Sequence, residues 1–228
     1  MNGRIYTVTF SAVAVSAAQD LFEITPADAL SAKVFYIVDQ FNQAKTLITT
    51  RQERDTVADL NLKAGIKAKD ATAYALAAGY LHAGLALLAD KAWTEQYELT
   101  YALHLECMEC EYLNRRFEES ERLFAEINRN ARNKVDSSRA CCAMIVLYNN
   151  IGKLHEAIDI GIASMKMFGV RLSQNTSKLA VLRELIRFKI RIKKVGIENI
   201  ADLPLIFFFK DMATTEIYTR IGLPAYFT

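Results

Sequence analysis

The chain has 228 residues, of which 52% are hydrophobic and 24% charged, and its net charge is +2. That balance excludes wholesale disorder and the strongly basic footprint of a nucleic-acid binder. No apolar run reaches the roughly 20 residues that cross a bilayer as a helix. Three prolines and nine glycines leave room for long, little-interrupted helices.

The first 28 residues differ in kind from the rest. Val8 and Phe10 alternate with Thr7, Thr9 and Ser11, which is the period of a strand and predicts one over 4–10, with weak structure to about 24. Arg4 ahead of a modest apolar stretch also resembles a secretion signal, but the period of two favours the strand. Thr25 followed by Pro26 reads as a helix start, with Thr25 as the N-cap. From about Ala29 the period becomes helical: Val34, Ile37, Val38 and Phe41 form one stripe, which Leu47 and Ile48 extend. After a polar break over Thr49 to Glu53, helices are predicted over 54–69, 71–88, 94–113, 117–131, 137–151, 154–168, 177–194 and 211–222. The linkers are short, which sets neighbouring helices antiparallel. Two domains follow: an extended segment over 1–28 and an α-helical domain over 29–228.

A hairpin pattern recurs along the helical part. Phe117 and Leu154 each stand three residues before a small residue, Ser120 and Ala157, and further packing positions follow at Phe124 and Ile127, or Gly161 and Ser164. Set against the 34-residue helix-turn-helix unit of tetratricopeptide repeats, three units fit. They are 58–91 with Gly65, Ala77, Leu81 and Gly84, 101–134 with Met108, Ser120, Phe124 and Ile127, and 138–171 with Ile145, Ala157, Gly161 and Ser164. Hairpins of this kind bury their apolar faces by stacking, and small residues let the axes approach. Asn61, His104 and Cys141 stand where the unit expects a large aromatic, and Ala89, Arg132 and Gly169 stand where it expects proline. The expected fold is therefore all-α: antiparallel helical hairpins stacked as a divergent tetratricopeptide-like right-handed solenoid behind a short extended segment. An irregular helical bundle is the alternative.

Several stretches resemble a known family. Residues 35–43, residues 58–69, Ala73-Tyr74, the run from Tyr80 to Leu88, Trp93 to Leu105, Phe117-Glu118-Glu119 and Ala225-Tyr226-Phe227 are similar to the helical region of very large bacterial signalling proteins. Those proteins, common in cyanobacteria, join a serine/threonine kinase domain, a predicted AAA-type ATPase, this tetratricopeptide-like region, a GAF sensor and often a histidine kinase. The resemblance covers about residues 33–228 and implies a fragment of a larger machine. No phosphate-cradling G-x-x-x-x-G-K-[ST], H-R-D or D-F-G motif is present, so the catalytic activities of the family are not implied for this chain. Residues 1–28 fall outside the resemblance and look like the start of an uncharacterised β-rich, phage-type protein.

Residues with chemical potential are few. His104, Cys107 and Cys110 are spaced by three on one predicted helix, with Cys141 and Cys142 on the corresponding helix of the next unit. Soft ligands at that spacing can bind zinc, but such sites usually lie in turns, and buried reduced thiols of a cytosolic protein are the preferred reading. His82, His104 and His155 have no serine or cysteine partner at a recognisable spacing, and Glu106, Glu109 and Glu111 read as a solvated helix face. A basic amphipathic helix over 183–194 and the apolar run 205–209 read as packed surface and core.

These observations point to a non-catalytic protein-interaction or spacer module of a cytoplasmic signal-transduction ATPase or kinase. No catalytic residue, cofactor or metal is assigned. The partners expected are another protein or neighbouring domains of the same signalling protein, with neither nucleic acid nor membrane. In the repeat register, the concave surface is lined by Lys69, Leu105, Glu109, Tyr112, Arg139, Val146 and Asn149, a mix suited to holding an extended or helical segment. A metal-binding helical-bundle enzyme using His104, Cys107 and Cys110 is the rival from a different class.

Overall fold

A computed structural model of the protein describes residues 16–170 together with Ile217 and Arg220. Among the described residues every regular element is a helix. They are α1 over 16–24, α2 (Ala27–Gln43), a 3₁₀ turn (Lys45–Leu47), α3 (Arg51–Asp70), α4 (Tyr74–Leu85), α5 (Ala92–Glu95), α6 (Tyr97–Leu113), α7 (Phe117–Asn130), α8 (Lys134–Asn150) and α9 (Leu154–Met167). The helix α1 occupies part of the segment expected to be extended. The strand expected over 4–10, the helices over 177–194 and 211–222 taken as whole elements, and the 205–209 run lie outside the described residues.

Local chemistry explains where the helices begin. The polar break predicted over 49–53 is a capping box: Glu53 N–H donates to Thr50 Oγ1 at 3.2 Å, and Thr50 N–H donates to Glu53 Oε2 at 3.1 Å. This pair starts α3 three residues earlier than periodicity alone places it, because polar N-terminal turns carry no apolar stripe. Thr25 does not cap α2. Its hydroxyl donates back to the Leu21 carbonyl at 2.5 Å, and Pro26 takes the N-cap position without a side-chain bond. The helix predicted over 94–113 is broken at Gln96, where φ is −137°, into α5 and α6.

The helices α3, α6 and α8 end alike. Ala73, Arg116 and Lys153 donate to the carbonyls of Ala68, Glu111 and Tyr148, each at 2.9 Å. The residue before each donor is left-handed: Thr72 (φ 59°), Arg115 (φ 63°) and Gly152 (φ 77°). This is the six-to-one closure of a Schellman turn. In every case the next helix starts two residues after the left-handed one, at Tyr74, Phe117 and Leu154. Thr72, Arg115 and Gly152 stand at the same position along the sequence segments 58–91, 101–134 and 138–171.

Contacts between the helices show the antiparallel pairing. In the first hairpin Gly65 faces Leu81, and Gly84 faces Asn61 and Ala58. In the second, the Ser120 hydroxyl donates to the Met108 carbonyl at 2.8 Å, and Tyr112 meets Phe117 edge-on at 4.9 Å. In the third, the Ser137 hydroxyl reaches Met167 Sδ at 3.8 Å. The chain packs as two units, Met1–Ala131 and Arg132–Thr228. In the first unit α2 packs on α3, α4 and α3 both pack on α6, and the interior is built on Ile37, Leu60, Leu81, Leu103, Met108, Leu123 and Ile127. In the second, α8 and α9 enclose Met144, Ile145 and Met165. No described helix is long and apolar enough to cross a membrane.

Two substitutions test this geometry with opposite signs. A Cβ at position 65 would lie 2.5 Å from Leu81 Cγ, inside a fully buried contact. Gly65→Ala is therefore expected to destabilise the protein by about 1–3 kcal/mol. Thr72→Gly relieves the left-handed strain of a β-branched residue and is expected to stabilise by roughly 0.5 kcal/mol once the extra chain entropy of glycine is offset. Urea unfolding of both variants is the measurement, and a neutral Gly65→Ala would refute the close crossing.

Candidate functional site

The helix α6 gathers the polar chemistry of the first unit because four elements, α3, α4, α5 and α7, pack around it. On its side toward α3, the Lys69 ammonium at the end of that helix pairs with Glu106 and, at 2.9 Å, with Glu109. Burial works against the Lys69 charge, yet the two carboxylates outweigh it and hold the ammonium above its ordinary value. Burial raises Glu106 from the usual carboxylate range despite Lys69.

Toward α4, His82, Cys107 and Glu111 converge. His82 Nε2 lies 2.5 Å from Glu111 Oε1 and 3.6 Å from Cys107 Sγ. Glu111 is wholly buried, and its Oε2 lies 3.2 Å from Nε of Arg116, which sits in the turn after α6. That approach is too poorly aligned to count as a hydrogen bond, so Oε2 is a buried acceptor left unsatisfied. A buried carboxylate without charge partners would cost several kcal/mol, which is why a histidine and an arginine flank this one. Burial pushes the Cys107 thiol far above its usual range, with Glu111 adding to the shift.

Toward α5 and α7, His104 fills a different niche. Its ring meets Trp93 at a tilt, with centroids 4.6 Å apart, Nδ1 lies 2.7 Å from the Thr100 carbonyl, and Nε2 lies 3.4 Å from Glu126. Burial lowers its pKa, against the pull of the Thr100 carbonyl and Glu126.

The expected cluster of His104, Cys107 and Cys110 is thus not brought together. Residues three apart on a helix fan across about 120° over two such steps, so His104 faces Trp93, Cys107 faces His82, and Cys110 stands on the side of Lys69 and Glu106. Burial pushes the Cys110 thiol up to about 12, with Lys69 pulling the other way. All four cysteines are buried, and none forms a disulfide. Sequence reasoning missed two members of the real cluster. It gave His82 no cysteine partner, and it placed Glu111 on a solvated face. The i, i+4 spacing of Cys107 and Glu111 was the available signal, since it puts both on one face; the approach of α4 that brings His82 was not readable from spacing.

Of the residues expected to line a concave surface, Lys69 and Glu109 meet directly, and Leu105 is half-buried beside them on α6. Tyr112 does not line an open face: it is 3% exposed and packed against Phe117 inside its hairpin. In the second unit Arg139 is exposed and Val146 half-buried, while Asn149 Nδ2 donates to the Arg220 carbonyl at 3.1 Å. His155 is exposed.

No protein-family model matches the chain, and no solved structure matches it. The chain is similar to the hybrid signal transduction histidine kinase G of Dictyostelium discoideum, with 26% identity over 176 residues. The match covers 73% of this chain and 5% of that protein, so the chain corresponds to a small part of its relative.

The lowered pKa of His104 fixes the sign of a pH effect. The unfolded chain binds a proton near pH 6.5 that the folded chain still refuses, so the contribution of His104 is full above that pH and is lost as pH falls through it. The unfolding free energy of the native chain, measured against His104→Gln, should therefore decline from pH 7.5 to pH 5.5. A difference that grows on acidification would contradict the neutral buried ring.

Proposed function

We propose that the chain is a non-catalytic interaction or spacer module of a multidomain signalling protein, built as a divergent tetratricopeptide-like stack of hairpins. The observation that carries this reading is the repeated turn: three left-handed closures at Thr72, Arg115 and Gly152, each followed two residues later by the second helix of a hairpin. Repeated hairpins that bury their faces against one another are binding and spacing devices, because each presents side chains from its first helix while contributing no cleft of its own. The similarity to a short stretch of a hybrid histidine kinase supports a place among signalling domains. Its partners are then a protein segment or adjoining domains of the signalling polypeptide. The residues proposed to face them are Lys69, Leu105 and Glu109 in the first unit and Arg139, Val146 and Asn149 in the second. Tyr112 is withdrawn from the contact set because it is buried; truncating it would cost about 3–5 kcal/mol and confound any binding result.

Site-specific photo-cross-linking in the native cell tests the reading. A cross-linker at Glu109 or Arg139 should capture signalling proteins at least about tenfold more than one at the exposed Arg129 on α7, a ratio that corresponds to roughly 1.4 kcal/mol of preference. Equal capture from Arg129, or none from Glu109 and Arg139, would remove the first-helix surface as the binding face.

A further inference from the structure

We propose that His82, Cys107 and Glu111 form a zinc site that ties α4 to α6 across two hairpins of the first unit. The three donor atoms, an imidazole nitrogen, a thiol sulfur and a carboxylate oxygen, all lie within 4.8 Å of one another. Nitrogen, sulfur and oxygen together are the ligand set of borderline-soft Zn(II). Tetrahedral zinc with its usual bond lengths holds sulfur and nitrogen about 3.6 Å apart, and Cys107 Sγ stands 3.6 Å from His82 Nε2. The Glu111 carboxylate, now 2.5 Å from the same nitrogen, has to draw back by roughly 1 Å to reach the nitrogen–oxygen spacing of such a site.

Two further features favour an ion over acid–base chemistry. Cys107 and Glu111 both approach Nε2 of His82. A nucleophile relay needs the carboxylate on the opposite ring nitrogen from the thiol, so this arrangement is not a triad. In addition, Glu111 is wholly buried with Oε2 unsatisfied, a carboxylate in need of a cation. Arg116 supplies a partial substitute from a side chain that is 64% exposed and can turn outward. His82 is 37% exposed, so the ion enters from its side and keeps a water there as fourth ligand. Binding forms the zinc bonds to sulfur, nitrogen and oxygen, releases the Cys107 proton to solvent and displaces the proton that joins His82 Nε2 to Glu111, leaving the imidazole protonated on Nδ1, with no change of oxidation state.

The full-length chain, stripped with chelator and titrated with Co(II), tests this. The expected result is one Co(II) per chain with a thiolate-to-cobalt absorption band, displaced by Zn(II), and a rise in Tm on the order of 5 °C at saturating zinc. Cys107→Ser should abolish the band, and His82→Gln should weaken binding about tenfold or more. Cys110→Ser and His104→Gln, which lie on other faces of α6, should leave it intact. His82 is half-exposed, so His82→Gln keeps the test decisive even if Cys107→Ser fails to fold; circular dichroism verifies each variant. No band in the native chain, a band undiminished in His82→Gln, or a band lost in folded Cys110→Ser or His104→Gln would each overturn the site.

Discussion

The space between α3 and α4 at Gly65 is filled by Leu81, and only a hydrogen fits on the α3 side. At the other end of the same crossing, Gly84 stands against Leu103 of α6 as well as Asn61 and Ala58 of α3. These two glycines set how closely three helices approach, and the rest of the first unit follows from that distance. Because α4 lies so near α6, His82 can reach Cys107 and Glu111; because α3 lies near α6, Lys69 can reach Glu106 and Glu109. Packing and polar chemistry are thus one constraint seen twice.

Buried polar groups and thiols stand at the three positions where the sequence comparison expected a large aromatic, Asn61, His104 and Cys141. Asn61 is fully buried and exchanges two amide bonds with Asn42 of α2, at 2.8 and 3.0 Å, while also donating to the Val57 carbonyl. His104 borrows an aromatic partner in Trp93. Cys141 is buried near Ser137 and Ser164, and burial raises its thiol, with the two serines pulling the other way. Asn61 and His104 each meet a polar group on another helix, Asn42 of α2 and Glu126 of α7, and a buried polar group left without one would cost about 1–3 kcal/mol. Such pairing also adds direction to contacts that small apolar residues alone leave free to slide.

The closures that end α3, α6 and α8 are backbone devices. The same left-handed turn is made by threonine, arginine and glycine in turn, so the repeat survives extensive sequence change.

The helices from α3 to α9 were legible in the sequence, because apolar periodicity and the small residues at 65, 77, 84, 120, 157 and 161 are local properties that a one-dimensional pattern records. The boundaries were less so: the Thr50–Glu53 box reads as a polar break, and Gln96 interrupts what periodicity treats as one helix. The polar clusters were not legible. His104, Cys107 and Cys110 look like a set along the chain, yet the 3.6-residue turn points them at three different neighbours, and His82 joins Cys107 only because α4 packs on α6. Tyr112 was read as surface and is core for the same reason. Sequence by itself determined which stretches are helical and where hairpins cross, since those depend on residues a few positions apart. Tertiary structure decided which charged and soft side chains meet, since a meeting between helices depends on their separation and rotation, and those are set by glycine contacts far away in the chain.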